Sequence, residues 1–485
     1  MQEQLHELSQ SDDYPFHMPG HKRNNLTGAH LPYDYDITEI DGFDDLHHAT
    51  GKIREIEQKA SRLYGCEDTA LLINGSTAGI LSAILACTKH NGVILIARNC
   101  HRSVYHAIEL QKLTAIYVYP REDERIHAQD VQSLLEQHPE IEAVVITSPT
   151  YEGYISHIAT ISEIVHHYDI PLIVDEAHGS HLDLQYNGKS AEEVDDSSVD
   201  DRGCPDTSLR NRIMGVDKQH NSYKLKAALH LGADIVIHSL HKTLPSLTQT
   251  ALIHTSNRAI SKGYWKQVRH YLQIFQSSSP SYLLIMSIEA CLDYVWSCGE
   301  NTFVTYWKRV DELRRSLSKL QVLQLIPIEC GEDYDEGKLI ISTKNSRLTG
   351  RNLYDLLRTR FHLQLELAGE CHVLAMTSIA DTKQGFDRLV EALNRVDEEL
   401  LQAQECVNQS ANLQVEGSLH NQQAIGRCSK NYVYVYPPGT PIIAPGEIIT
   451  QEMVRIIERY QSNGLMVHGL REDGRIDTIP VPSIE

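Results

Sequence analysis

The sequence predicts an α/β protein built on a mainly parallel sheet with helices on both faces. Three observations carry this. From Thr69 to Ile253, short apolar runs of strand length alternate with stretches of helical period. The runs are apolar throughout, as strands buried on both faces must be. The polar, chemistry-bearing residues fall just past the ends of these runs, where open α/β sheets collect their ligands.

At 485 residues the chain exceeds one compact core and implies about two or three domains. Hydrophobic content of 41% and charged content of 22% describe a soluble globular protein. The net charge of −21 argues against a nucleic-acid partner, because phosphate binding needs a basic face. No apolar run reaches the roughly 18 residues that span a bilayer. The start has no basic stretch followed by an apolar core, so no membrane or secretory route is expected and the chain reads as cytoplasmic. Ten cysteines without a CxxC pair read as buried thiols. The 26 histidines contain no HExxH pair; His47-His48 and His166-His167 read as surface pairs, and no metal site is expected.

Residues 1–50 hold turns and few regular elements and form an N-terminal arm. Phe16 to Arg23 is a Pro-Gly turn flanked by histidines and bases, and Asp41 to His47 is a second turn-rich segment. A large domain is expected over 51–300. It opens with a helix from Lys52 to Tyr64, because Ile53, Ile56, Ala60 and Leu63 keep helical spacing up to the Gly65 stop.

The run from Thr69 stops at Asn74-Gly75, and Ser76-Thr77 opens a helix that ends near Cys87. Small residues and hydroxyls at a helix start offer free N–H groups and the positive dipole end to a phosphate. Plain N-capping accounts for the same residues. Strand Val93 to Ala97 runs into Arg98-Asn99-Cys100-His101-Arg102-Ser103. A helix through Gln111 and a strand at Ala115 to Val118 follow. Strand Ala143 to Thr147 ends in Ser148-Pro149-Thr150-Tyr151, before a helix from Ile158 to Tyr168. Strand Pro171 to Val174 ends in Asp175, Glu176, Ala177 and His178.

The polar, acid-rich stretch 187–222 reads as an exposed insertion ahead of a helix at Leu225. Asp234 to Ile237 is the next strand, ending in Ser239, His241 and Lys242. A lysine at the end of a buried strand is poorly solvated, which lowers its pKa, and a neutral amine forms a Schiff base with an aldehyde. Ser76, His101, Thr150, Asp175, His178, Ser239 and Lys242 all share the strand-end position. Pyridoxal 5'-phosphate needs an amine, an anion site and a carboxylate opposite its ring nitrogen. Lys242, Ser76-Thr77 and Asp175 supply these, and His101 can stack on the ring.

Further on, Leu247 to Ile253 reads as a strand and Ser277 to Tyr282 as a hydroxyl-rich turn. Leu283 to Cys298 and Thr305 to Leu320 read as two helices. A smaller α/β subdomain is expected over 301–400, a linker over 401–429 and a C-terminal domain over 430–485. That last domain starts with the rigid, proline-rich Tyr436-Pro437-Pro438-Gly439-Thr440-Pro441 and holds a helix from Thr450 to Ser462.

Five motifs, in order, resemble the fold-type-I Orn/Lys/Arg decarboxylases: Met18-Pro19-Gly20-His21-Lys22, Arg98 to Ser103, Asp175-Glu176-Ala177-His178-Gly179, Ser239-x-His241-Lys242 and Tyr436 to Pro441. The resemblance runs from about Phe16 to Asp473. It is nearest to the short bacterial form, since no wing domain precedes the Pro-Gly-His motif.

The resemblance implies an aspartate-aminotransferase-like fold and pyridoxal phosphate held by Lys242. Asp175 would pair with the ring nitrogen, Ala177 would underlie the ring with His178 beside it, and His101 would stack above. Ser76, Thr77 and Ser239 would hold the phosphate, helped by Ser278 from a partner subunit in a homodimer whose site lies near the interface. His241 would attend proton transfer, and Glu447 would meet the substrate's distal cation. The implied activity is decarboxylation of lysine, arginine or ornithine to the amine and CO₂, in polyamine biosynthesis. The rival expectations are an aminotransferase or lyase on the same scaffold, or a non-catalytic relative of the fold. The insertion at 187–222 departs from the family.

Overall fold

The computed structural model describes residues 1–11, 19, 22, 31–184, 225–327, 333–407, 421–436 and 439–480. The insertion at 187–222 and most of the Pro-Gly-His motif lie outside the described residues.

The large domain is organised by a seven-stranded sheet: β1 (Asp68–Leu72), β2 (Val93–Ala97), β3 (Thr114–Val118), β4 (Ile141–Thr147), β5 (Leu172–Asp175), β6 (Ile235–His238) and β7 (Ala251–Thr255). Their order is β1-β7-β6-β5-β4-β2-β3. The β3-β2-β4-β5-β6 block is parallel. β7 runs antiparallel to both β6 and β1. β1 therefore points the same way as β6, and the carboxyl ends of β1, β2, β4, β5 and β6 share one edge. The strands are apolar throughout because both faces are buried: Ala143 to Ile146 and Leu172 to Val174 are fully covered.

Helix Gly75–Cys87 crosses this sheet closely because of one glycine. A Cβ on Gly79 would lie 2.7 Å from Leu72 Cδ1 and 3.3 Å from Ile237 Cγ2. That approach brings the helix start towards the carboxyl ends of β1 and β6.

The second core joins the N-terminal segment, the long helix and the small domain. Helix Tyr282–Leu317 is one continuous element of 36 residues, where the sequence reading breaks it near Cys298. The buried stripe Val295, Gly299, Phe303, Tyr306, Val310 runs unbroken through the break, so tertiary packing overrides the local polarity of Gly299-Glu300-Asn301-Thr302. The small domain adds an antiparallel sheet, order β10-β11-β9-β8, from β8 (Gln324–Ile326), β9 (Lys338–Ser342), β10 (Leu367–Ala368) and β11 (His372–Met376).

Other boundaries also differ from the sequence reading. Helix Gln2–Gln10 forms within the arm, with Leu5 fully buried and the amide of Gln2 bonded to Glu289 Oε2 at 2.9 Å. Residues 225–233 turn without forming a helix. Helix Lys383–Val407 carries past residue 400, and 421–429 hold a 3₁₀ turn and strand β12 (Cys428–Ser429). Of the expected linker, 408–420 lies outside the described residues. β7 begins at Ala251, because Leu247 to Thr250 form a turn closed by Thr250 N to Leu247 O at 3.2 Å.

The C-terminal domain packs β13 (Val433–Val435) between β14 (Pro441–Ile443) and β15 (Val467–His468); β12 pairs with β16 (Thr478–Ile479). Helix Gln451–Ser462 is capped by Thr450, whose side chain accepts from Met453 N at 3.2 Å. Arg98, past the end of β2, clamps this domain to the sheet. Its guanidinium donates to Pro441 O at 2.7 Å, to Ile442 O at 3.1 Å and to Glu447 Oε2 at 3.0 Å. Among the described residues no helix is long and apolar enough to cross a membrane.

Candidate active site

The parallel strands bring Asp175, Ser239 and Lys242 to one edge by adjacent connections. Asp175 is the last residue of β5 and is 3% exposed. Burial raises its pKa, opposed by the charge of Lys242 and by a hydrogen bond from Ala177 N to Oδ1 at 3.2 Å. Among the described residues no cation bonds to this carboxylate.

Ser239 follows β6 and starts the single turn Leu240–Thr243 that carries His241 and Lys242. Burial lowers the pKa of the Lys242 amine, as the sequence reading expects; Asp175 raises it and Lys338 lowers it. Nζ of Lys242 donates to Nε2 of His178 at 2.9 Å. His178 is buried, with a pKa well below the usual imidazole value through desolvation and then Lys242, so it is a neutral acceptor. His241 donates its Nδ1–H to Thr250 O at 3.0 Å, which leaves Nε2 as its free nitrogen. Burial lowers the His241 pKa too.

His101 caps the helix Arg102–Gln111, its Nδ1 accepting from Ser103 N at 3.3 Å and Ser103 Oγ at 2.8 Å. Burial, then Lys242, brings its pKa down to about 4, so the ring is neutral with Nε2 protonated. The C-terminal domain reaches it: a Cβ on Gly439, which has φ +84°, would lie 3.9 Å from His101 Cδ2.

Candidate anion donors lie at the same sheet edge. Among the described residues no side chain caps the start of helix Gly75–Cys87, whose first turn holds Ser76 and Thr77. Ser239 is fully buried, and its Oγ has no hydrogen-bond partner among the described residues. A buried hydroxyl without a partner costs about 1–3 kcal/mol, a penalty that a bound phosphate oxygen would relieve. Asp175, carrying one backbone hydrogen bond and no cation among the described residues, fits a protonated ring nitrogen. The donor set therefore suits the cofactor.

The remaining candidates fall elsewhere. Ser278 sits on an exposed loop between helices Tyr264–Phe275 and Tyr282–Leu317, and no described contact joins it to Lys242 or Ser76 in the same chain. Thr150 serves its own turn, accepting from Tyr154 N at 3.2 Å. Glu176 is committed to His238 Nε2 at 2.8 Å and to the amide of Ala228. Glu447, which the sequence reading gives to the substrate's cation, is instead engaged by Arg98 and by Ala444 N at 2.9 Å. Its partner lies 349 positions away in sequence, beyond any local pattern.

Two site residues escaped the sequence reading as functional groups. The ring of Tyr151 meets His178 edge-on at 4.8 Å between centroids, and its hydroxyl donates to the carboxylate of Glu366. Tyr151 follows a recognisable strand end; Glu366 approaches from the small-domain sheet with no motif around it.

The fold is aspartate-aminotransferase-like, a class that carries pyridoxal 5'-phosphate, and Lys242, Asp175 and Ser239 lie together at its sheet edge. The chain belongs to the Orn/Lys/Arg decarboxylase family: the model of the family's major domain matches residues 1–208 and 214–373, and that of its C-terminal domain matches 387–473. Among curated relatives, the uncharacterized protein YaaO of Bacillus subtilis is 30% identical, over 94% of this chain and 93% of its own. The arginine decarboxylase of the same organism is 27% identical, over 96% of this chain and 94% of its own. The crystal structure of the Francisella novicida lysine decarboxylase LdcF shares the fold with a TM-score of 0.73 at 17% identity, covering 98% of this chain and 80% of that one.

Proposed function

We propose that this protein decarboxylates a basic L-amino acid, lysine, arginine or ornithine, to the corresponding amine and CO₂. The observation that carries the reading is the desolvated Lys242 amine, hydrogen-bonded to neutral His178, at the same sheet edge as buried Asp175. Bound pyridoxal phosphate supplies an electron sink for the pair left when the bond from Cα to the carboxylate breaks. Lys242 Nζ would hold the cofactor. Asp175 keeps the proton on the ring nitrogen. Ser76, Thr77 and Ser239 hold the phosphate, with Ser278 reaching over from a second copy in a homodimer. His101, neutral and fixed by Ser103, would pack against the cofactor. After CO₂ leaves, Lys242 Nζ or His241 Nε2 returns a proton to Cα. The amine product would serve polyamine metabolism in the cytoplasm.

The test is to supply the purified protein with pyridoxal phosphate and each basic amino acid and to identify the products. Amine and CO₂ from at least one of them are expected. Keto acid in place of CO₂ would turn the reading to an aminotransferase, and no product from any of the three would end it. Full turnover by Lys242→Ala would overturn the site assignment.

A further inference from the structure

Buried polar atoms without a hydrogen-bond partner among the described residues cluster where the small domain meets the large one: His178 Nδ1, His181 Nδ1, Asp335 Oδ2 and Lys338 Nζ. Lys338 is the first residue of β9, and it and Asp335 are fully buried. Its Nζ lies 3.2 Å from Asp335 Oδ2, a contact between charges without hydrogen-bond alignment. Asp335 Oδ1 faces His181 Nε2 at 3.4 Å and accepts from Gly337 N at 3.0 Å. Burial works to raise the pKa of Asp335, but Lys338 and then His181 bring it far below the usual carboxylate range, so the carboxylate is ionised.

The ion pair is built into the seam between the domains. Asp335 N donates to Gly153 O at 2.9 Å, and Ile155 N donates to Asp333 O at 2.8 Å. A Cβ on Gly153, which has φ +107°, would lie 2.8 Å from Lys338 Cγ, so the lysine stem fills the space that a side chain there would take. Gly153 N closes a turn on Thr150 O at 3.1 Å, and Tyr151 of that turn is the ring that meets His178. His178 and His181 stand on one short segment after β5. The first accepts from Lys242 and the second faces Asp335. Lys338 therefore adjoins the reacting amine through two segments of the large domain. Arg314 and Tyr334 also pack here, but both donate to the Lys338 carbonyl, at 3.4 Å and 2.9 Å.

Stability is a weak reason for this arrangement, because apolar residues of similar volume often replace a buried ion pair without loss. What the pair supplies is a fixed positive charge in a medium of low dielectric, where charges act at range. The other groups around Lys242 do not supply it. Burial lowers the pKa of His178, His101 and His241, so these rings are neutral. After burial, which lowers the Lys242 pKa, Asp175 and Glu366 raise it and Lys338 lowers it. We infer that Lys338 is a positioning residue for the reaction, whose buried charge, brought from the small domain, favours the neutral amine of Lys242. The inference rests on the proposed site and deepens it.

The test reads the Lys242 amine directly. Full-length protein freed of cofactor receives a brief pulse of pyridoxal phosphate at values from about pH 6 to about pH 10. Borohydride fixes the bound aldehyde, and the Lys242 peptide is quantified. Lys338→Met should move the midpoint of labelling up by about one pH unit and slow labelling near neutral pH about tenfold. Lys338→Arg keeps the charge and should leave the midpoint within about 0.3 unit of wild type. The double variant Lys338→Met, Asp335→Asn removes both charges and so leaves no unpaired buried carboxylate; its midpoint should still rise, by less. Circular dichroism shows which variants fold. A merely structural role would lower the unfolding midpoint and leave the labelling midpoint in place. A folded double variant that labels like wild type would overturn the inference, as would a rise in Lys338→Arg equal to that in Lys338→Met. If wild type turns over none of the three amino acids, the proposed decarboxylation fails, while the labelling midpoint still decides the role of Lys338.

Discussion

Lys242 and His178 share a hydrogen bond: Nζ lies 2.9 Å from Nε2, on an imidazole whose Nδ1 has no partner among the described residues. Burial lowers the pKa of both groups, so the pair carries at most the proton of the lysine. His178→Phe keeps an aromatic edge against Tyr151 but removes the acceptor. The ammonium form then loses its partner, so the pH at which cofactor absorbance develops should move down. Turnover should fall about tenfold or more, consistent with about 1–3 kcal/mol for an unpaired buried donor. Absorbance titrated against pH in wild type and variant checks this; coincident titrations would refute it.

Ser239 gives a prediction of opposite sign in the two states. Its hydroxyl is fully buried without a partner among the described residues, so Ser239→Ala should leave the unfolding midpoint of the cofactor-free protein unchanged or raised. With pyridoxal phosphate the variant should bind about ten- to a hundredfold more weakly. The upward shift of the midpoint on adding cofactor should shrink accordingly. A cofactor-free variant clearly less stable than wild type would mean that the hydroxyl serves the fold.

Much of this site was legible in the sequence because it lies on strand ends. A buried strand is a run that only apolar residues can fill, so Asp175 and Lys242 stand out where β5 and β6 stop. Even the bounds of β2, Val93 to Ala97, follow from the run itself. Long-range pairing is where the pattern gives out. Glu447 is a glutamate after a proline-glycine turn until Arg98 is placed beside it, and Glu366 has no local signal at all. The sequence pattern divides helix Tyr282–Leu317 in two because its polar centre is offset only by packing against a distant core.

The histidines fix the response to acid. Burial brings His101 from 6.5 to about 4, and it also lowers His178, His254 and His241. For a base with a depressed folded pKa, the unfolded chain takes up protons first as pH falls. The stability is therefore fully present above 6.5 and is lost below it, with the loss from His101 levelling off near pH 4. From His101 alone the loss at about pH 5 is about 2 kcal/mol. His230, raised by its hydrogen bond to Asp183, opposes this, as do the carboxylates of Glu124, Glu152, Asp175 and Asp381, whose pKa burial raises. Unfolding midpoints measured from about pH 7.5 down to about pH 5 should fall steadily. A flat or rising series would contradict the neutral, buried state of these rings.

Arg98 and Glu447 separate a structural role from a substrate role. The Arg98 guanidinium donates to Tyr105 at 2.8 Å, to two β14 carbonyls and to Glu447, with side chains 10% and 15% exposed in the ion pair. Arg98→Met would take this donor from those carbonyls and leave the carboxylate without its cation, and removing one partner of a buried pair costs about 3–5 kcal/mol. The loss should fall on the contact between β14 and the β2 end, so amide exchange should speed up over 433–443. The packing of Gly439 against His101 should loosen with it, seen as a change in the cofactor's circular dichroism. Glu447→Gln keeps the side-chain shape and removes the charge; it should lower the unfolding midpoint by less than Arg98→Met and leave KM for basic amino acids close to wild type. If Glu447→Gln instead raised KM about tenfold at unchanged stability, the carboxylate would belong to the substrate and not to the clamp.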